Sequence, residues 1–199
     1  DAAPCHMQRR LLPVVERLLG PMPAGSRILD IGCGNGALAG HFLARGMRVV
    51  GVDLSDSGIA VARSKHPDGR FEVLPGDGNL LAALACEPFD YVLSTEVIEH
   101  LYNPRDHVRS AYDALRPGGR FVCTTPYHGY WKNLALALAG KWDSHADPLW
   151  DGGHIKLFSR RSLGRLFEEA GFRDIAFRGI GRLPYLWMSM GMRGDRPPA

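Results

Sequence analysis

Two carboxylates and an imidazole fall in one short segment, Glu96-Val97-Ile98-Glu99-His100. On a helical turn they occupy positions i, i+3 and i+4 and share a face, so the segment can gather groups that take up or release a proton, the imidazole near neutrality. A second segment is shaped for a ligand. Leu29-Asp30-Ile31-Gly32-Cys33-Gly34-Asn35-Gly36 sets a glycine-rich turn between a strand and a helix. Glycine permits the tight turn and the approach of a ligand to the backbone, and the helix beyond begins with unpaired N–H groups. Val49-Val50-Gly51-Val52-Asp53 then ends a second apolar run in a carboxylate, about 20 residues beyond the loop, where an acid can accept both hydroxyls of a ribose. Taken singly, Asp53 reads equally well as a cap on the helix after Ser55, and Asp77 in Gly76-Asp77-Gly78 as a turn residue. Only beside the glycine loop do both become parts of a nucleotide site.

The elements that must position these groups follow from periodicity. Short runs rich in Val and Ile alternate with segments of helical period, the pattern of a parallel sheet covered on both faces. The predicted strands are Arg27–Ile31, Arg48–Asp53, Arg70–Leu74, Tyr91–Thr95 and Arg120–Thr125. The predicted helices between them are Ala37–Arg45, Gly58–Lys65, Leu80–Ala85 and Arg105–Leu115, the last stopped by Arg116-Pro117-Gly118-Gly119, which opens a turn. Tyr127 to Gly153 breaks the rhythm with Tyr127, Tyr130, Trp131, Trp142 and Trp150 alongside His128 and His145. It reads as an insert at the carboxyl ends of the strands, where a substrate lid is expected in preference to a cluster packed on the sheet edge. A helix over Ser159–Ala170, with Ser159 as N-cap and Gly171 past its end, leads to strands near Asp174–Gly179 and Trp187–Met192. The polar, Pro-rich tail Gly194–Ala199 is expected to fray. His41, His66 and His107 show no partner pattern and are expected to be solvated.

Five spaced runs resemble the hallmark segments of class I S-adenosylmethionine-dependent methyltransferases. They are Leu29–Gly36, Val52-Asp53-Leu54-Ser55, Gly76-Asp77, Phe89-Asp90-Tyr91-Val92-Leu93-Ser94 and Leu115-Arg116-Pro117-Gly118-Gly119, in the family's order from about Ser26 to Thr125. The resemblance implies an α/β Rossmann-like seven-stranded sheet with the last strand antiparallel and helices on both faces, and S-adenosyl-L-methionine as cofactor. It places Gly32 and Gly34 toward the methionine part, Asp53 at the ribose, Asp77 at the adenine amine and the Thr95 backbone beside the sulfonium, with Asp30, Leu54 and Gly78 as further cofactor-binding candidates. A dinucleotide dehydrogenase is the alternative for such a loop, but Gly32-Cys33-Gly34-Asn35-Gly36 lacks the third glycine at the GxGxxG spacing.

Methyl transfer from a sulfonium expels a neutral thioether, so the protein must align the acceptor and, for a hydroxyl, remove its proton. The Glu-x-x-Glu-His segment is similar to that of ubiquinone-pathway O-methyltransferases and small-RNA 3′-terminal 2′-O-methyltransferases, whose matching side chains hold a divalent cation. That similarity implies a metal at Glu96, Glu99 and His100, completed by His154 of Gly152-Gly153-His154-Ile155-Lys156. Two readings stay open beside it: His100 or His154 as a metal-free general base, and Glu99 with His100 merely orienting the loop over the cofactor.

Composition narrows the partners. At 199 residues with 45% hydrophobic and 23% charged residues the chain suits one globular domain, with a lid insert at about 127–153. A net charge of +3, with short basic clusters only at Arg9-Arg10 and Arg160-Arg161, is too weak for a nucleic-acid footprint. The longest apolar stretch, Leu134–Ala139, falls far short of the roughly 20 residues that span a bilayer. Cys5, Cys33, Cys86 and Cys123 share no metal-ligand spacing and read as reduced thiols in a cytoplasmic protein. The expected enzyme methylates a small, flat or partly apolar molecule, on oxygen in preference to nitrogen or carbon. The rivals are an RNA ribose methyltransferase and a non-catalytic cofactor-binding protein. Oligomeric state is left open, as is the natural N-terminus of a chain that begins at Asp1.

Overall fold

The computed structural model describes residues 6–181 and 183–199; Cys5 and the Arg9 side chain lie outside the described residues. Seven strands form one sheet in the order β3-β2-β1-β4-β5-β7-β6. They are β1 (Arg27–Ile31), β2 (Arg48–Asp53), β3 (Arg70–Val73), β4 (Phe89–Thr95), β5 (Leu115–Pro126), β6 (Arg173–Ile180) and β7 (Ser189–Asp195). The first five are parallel, and β7 runs antiparallel between β5 and β6. Their inward residues are almost wholly buried because both faces are covered.

On one face lie α1 (His6–Leu19), α2 (Ala37–Leu43) and α3 (Asp56–Lys65), whose Val15, Leu18, Phe42 and Ile59 pack with Ile28, Val49 and Val122. On the other lie α4 (Leu80–Leu84), α5 (Pro104–Ala114) and α8 (Arg160–Ala170), whose Leu84, Val108, Leu163 and Phe167 pack with Leu29, Val92 and Phe121. Caps fix where the helices begin. Ser55 Oγ accepts from Gly58 N ahead of α3, Asn79 Oδ1 accepts from Ala82 N ahead of α4, and Ser159 forms a reciprocal capping box with Ser162 ahead of α8.

Several expectations are corrected. Sequence reading finds no helix before β1, yet α1 buries Leu11, Val15, Leu18 and Leu19 at helical spacing against β5, β6 and β7. Pro13 inside it reads as a helix breaker, although the apolar period runs through it. The turn expected at Arg116–Gly119 lies within β5, as an irregularity in its pairing with β4 between Phe89↔Leu115 and Tyr91↔Arg120. The tail does not fray at its start. Gly194 and Asp195 belong to β7, Asp195 pairs with Arg120, and Arg196 N donates to the Gly119 carbonyl while its guanidinium reaches the Leu115 carbonyl. Of the three histidines expected to be solvated, His107 is buried, while His41 and His66 stay partly exposed beside a partner. His41 Nε2 meets Glu16 at 2.9 Å, His66 packs on Phe71, and His107 is fully buried between Ser94 and Gly76.

Candidate functional site

The glycine loop leaves β1 and folds over the end of β2, with Gly32 N and Cys33 N both donating to the Val52 carbonyl. Gly32, Gly34 and Gly36 all take positive φ, at 77°, 52° and 74°, which a side chain would resist. Their roles differ. A Cβ on Gly32 would lie 2.3 Å from Val97 Cγ2 and one on Gly36 2.9 Å from Ala62 Cβ, whereas one on Gly34 would meet nothing within 4 Å. Gly32 and Gly36 therefore pack the loop against the protein, and Gly34 leaves room beside its backbone for a ligand.

Asp53 faces that loop. Its Oδ2 accepts from Gly34 N and its Oδ1 from Ser55 N, each at 2.8 Å. Every carboxylate oxygen has further lone-pair capacity, so these bonds aim the group and leave it able to accept hydroxyls. Leu54 beside it is 70% exposed, an apolar surface at the rim. Asp30 is the opposite case: it is buried, and neither carboxyl oxygen has a hydrogen-bond partner among the described residues. Burial, and then the charge of Asp53, pushes it up to about pH 7. A buried carboxyl without donors is a costly arrangement that an approaching ammonium group would relieve. Asp77 and Gly78 lie exposed on the loop after β3, with Gly78 at φ 78°. Thr95 closes β4 beside Thr124 of β5. Asp30, Gly32, Gly34, Asp53, Leu54, Asp77, Gly78 and Thr95 thus sit at or just beyond the carboxyl ends of β1 to β4. Together their chemistry suits a nucleoside that carries an amino acid.

Beyond Thr95 the chain takes one left-handed residue, Glu96, at φ 55°, and then a single 3₁₀ turn over Ile98–His100. Because Glu96 precedes the turn, it does not share a helical face with Glu99 and His100. Its Oε1 accepts from Ser189 Oγ at 2.8 Å, and burial raises its pKa. Glu99, His100 and His154 do converge: one ligand atom from each lies within 4.8 Å of the others. Glu99 is completely buried, its Oε2 accepting from Thr125 Oγ1 at 2.9 Å and its Oε1 without a hydrogen-bond partner among the described residues. Burial, and then the charge of Glu96, pushes it up to about pH 8. His100 Nδ1 lies 2.9 Å from the Gly152 carbonyl and 3.1 Å from that of Gly153. Carbonyls only accept, so Nδ1 carries a proton, and in the neutral ring Nε2 holds the lone pair. His154 has its pKa lowered by burial and then by the charge of His100. The arrangement can hold a cation or take a proton from a hydroxyl.

The insert bounds this cluster. It contains α6 (Tyr130–Leu138) and α7 (Trp142–Ala146). Tyr127 N donates to the Met188 carbonyl and His128 N to that of Phe158, fixing its start. The contacts of His100 with Gly152 and Gly153 fix its end, bringing the Trp150 ring edge-on to His100 and His154 at 5.9 and 5.3 Å. Tyr130, Trp131, Leu138 and Leu149 remain exposed. Sequence reasoning missed Thr125 and Ser189, which hold the two glutamates, and Lys132, whose Nζ donates to the Tyr127 carbonyl from a buried position. Nothing local marks them, since the partners of Thr125 and Ser189 stand on other elements.

Residues 5–176 match a family model described as a methyltransferase domain. The chain is 31% identical over 195 residues to the ubiquinone biosynthesis O-methyltransferase of Ruegeria pomeroyi, covering 92% of this chain and 77% of that one. To the enzyme of the same name from Dinoroseobacter shibae it is 34% identical over 170 residues, 82% of this chain and 66% of the relative. Among solved structures, the YcgJ protein of Bacillus subtilis aligns with TM-score 0.72 at 16% identity over 96% of this chain and 100% of its own. Phosphoethanolamine N-methyltransferase 2 of Haemonchus contortus, bound to S-adenosyl-L-methionine, aligns with TM-score 0.70 at 20% identity over 95% of this chain and 52% of its own. At those identities the two structures speak to the fold alone.

Proposed function

The chain belongs to the S-adenosylmethionine-dependent methyltransferase family, and we propose that it transfers the methyl group to a hydroxyl oxygen of a small, flat or partly apolar molecule. The observation that carries the choice of oxygen is the convergence of Glu99, His100 and His154 just beyond β4. A hydroxyl must lose its proton to become a good nucleophile, and this is a proton-accepting or cation-holding group at the place where the acceptor would sit. The names of the curated relatives agree with that reading.

The cofactor supplies an electrophilic methyl on a sulfonium. In this reading Asp30, Gly32 and Gly34 receive its amino-acid part, Asp53 the ribose hydroxyls, Leu54 the apolar face of the nucleoside, Asp77 and Gly78 the adenine, and the Thr95 backbone the region of the sulfur. Asp30, lacking donors of its own, matches the ammonium. Trp150 and the rest of the 127–153 insert close over the acceptor as a lid, and the aromatic side chains suit a flat substrate. A net charge of only +3 gives RNA little electrostatic hold as acceptor. No helix among the described residues is long and apolar enough to cross a membrane, and Cys33, Cys86 and Cys123 are free thiols, in keeping with a cytoplasmic location.

A divalent cation at Glu99, His100 and His154 would bind acceptor oxygens and lower the hydroxyl's pKa. The unpartnered Glu99 Oε1 and His100 Nε2, the ring nitrogen not engaged by the Gly152 and Gly153 carbonyls, fit that role. Glu96 stands outside that trio, with its Oε1 accepting from Ser189. The same nitrogen of His100 supports a second reading, a general base without metal. Titration with Mn²⁺, followed by calorimetry and by activity after chelation, separates the two. The metal reading expects measurable binding that His154→Ala weakens while cofactor affinity is spared, and activity that chelation removes and the ion restores. The metal-free reading expects no binding, indifference to chelator, and a loss of turnover on the order of 100-fold in one His→Ala variant. Chelator resistance with near-normal turnover in both His→Ala variants would defeat both.

A further inference from the structure

His107 links two walls of the nucleoside side of the site. It lies in α5, wholly buried, with Nε2 2.9 Å from Ser94 Oγ at the end of β4 and Nδ1 2.9 Å from the Gly76 carbonyl on the loop after β3. The carbonyl can only accept, so Nδ1–H donates to it, Nε2 keeps its lone pair, and the Ser94 hydroxyl donates in turn. Ser94 is itself fully buried. Gly76 is pressed into this corner: a Cβ there would fall 2.5 Å from Ile31 Cγ2 and 3.4 Å from His107 Nδ1. Asp77, the next residue, is exposed, and the loop is fixed again at Asn79, which caps α4 through Ala82 N at 3.1 Å. The aim of Asp77 is therefore set by backbone held at Gly76 on one side and at Asn79 on the other.

We propose that His107 is a positioning residue for adenine recognition: through the Gly76 carbonyl it sets where the Asp77 carboxylate stands toward the exocyclic amine of the methyl donor. This rests on the assignment of Asp77 to the adenine made above. Any buried imidazole must satisfy its N–H and its lone pair; what sets a positioning role apart is the partner, the backbone next to Asp77, because replacing a side chain that only packs would disturb all ligands alike.

The test is calorimetric binding of S-adenosylhomocysteine and of its analogue with purine in place of adenine, which lacks the exocyclic amine. The wild type should prefer the adenine compound by on the order of tenfold, the worth of one hydrogen bond to a charged group. His107→Leu should bring the two affinities together, and His107→Asn, which keeps a donor near the Nδ1 position, should restore part of the preference. If His107→Leu does not fold, Ser94→Ala removes the other anchor and is read the same way. An equal loss for both ligands, with the preference intact, would overturn the proposal and leave His107 as packing. Asp77→Ala, which removes the acceptor altogether, locates the failure. If it too keeps the full preference, the adenine assignment falls with the proposal; if it alone loses the preference, only the role of His107 is refuted.

Discussion

At the scale of residues, the site combines groups already satisfied by the protein with groups left waiting. Asp53 is aimed by two backbone N–H groups, while Asp30 and one oxygen of Glu99 are buried without donors. Replacing Asp53 by Ala should weaken S-adenosylhomocysteine binding by about 1.5–3 kcal/mol, the contribution of a charged hydrogen bond, as read by calorimetry. His107 yields a prediction about acid stability. Burial pushes it down to about 4, against about 6.5 in the unfolded chain. The unfolded state therefore binds the extra proton between those values. Its contribution to stability is complete above about pH 6.5 and is lost as pH falls toward 4, a difference of about 3 kcal/mol. Urea melts of wild type and His107→Leu across that range should show the wild type losing more stability than the variant; parallel pH profiles would contradict it. Asp53 and the three loop glycines were legible because strand, turn and helix are contiguous. His107 was not, because Ser94 and Gly76 come to it from two other elements and leave no local pattern.

At the scale of elements, most of the sheet was readable, since parallel strands buried on both faces give continuous apolar runs between turn residues. The readings that failed did so for particular reasons. In α1 a proline reads as a helix breaker although the apolar period runs through it, and at Leu115–Gly119 turn residues serve as an irregularity inside β5. The composition of the tail predicts fraying, although Arg196 clamps the end of α5 and the start of β5. Glu96 was placed on a helical face that the chain does not form, because its left-handed conformation sets it off from the turn that carries Glu99 and His100. The insert is pinned at both ends and exposes Leu138 and Leu149 between them. As a lid, it should be cut by protease within residues 139–151 in the free protein and resist when cofactor and a phenolic acceptor are present together. Equal cleavage in both states would instead make it a fixed cluster on the sheet edge.

At the scale of the whole molecule, one layout accounts for the chemistry. Two helical layers bury the sheet and leave the carboxyl ends of β1 to β4 to carry the cofactor candidates, while the antiparallel β7 brings Ser189 to Glu96 and the insert's end brings His154 to Glu99 and His100. The residues proposed for the methyl donor come from the first half of the chain in order, and those proposed for the acceptor are assembled across long separations. That division is why the first group forms a pattern in the sequence and the second does not. The most direct measurement is single-turnover methyl transfer from S-adenosylmethionine carrying a ¹³C methyl group to a panel of hydroxybenzenes and dihydroxybenzenes, with and without an apolar side chain, the product being followed by NMR. The account predicts that label appears as an O-methyl signal with at least one acceptor, and that His100→Ala or His154→Ala slows the transfer by on the order of 100-fold with cofactor affinity unchanged. Label found only on nitrogen or carbon, or transfer at the wild-type rate in both variants, would contradict it.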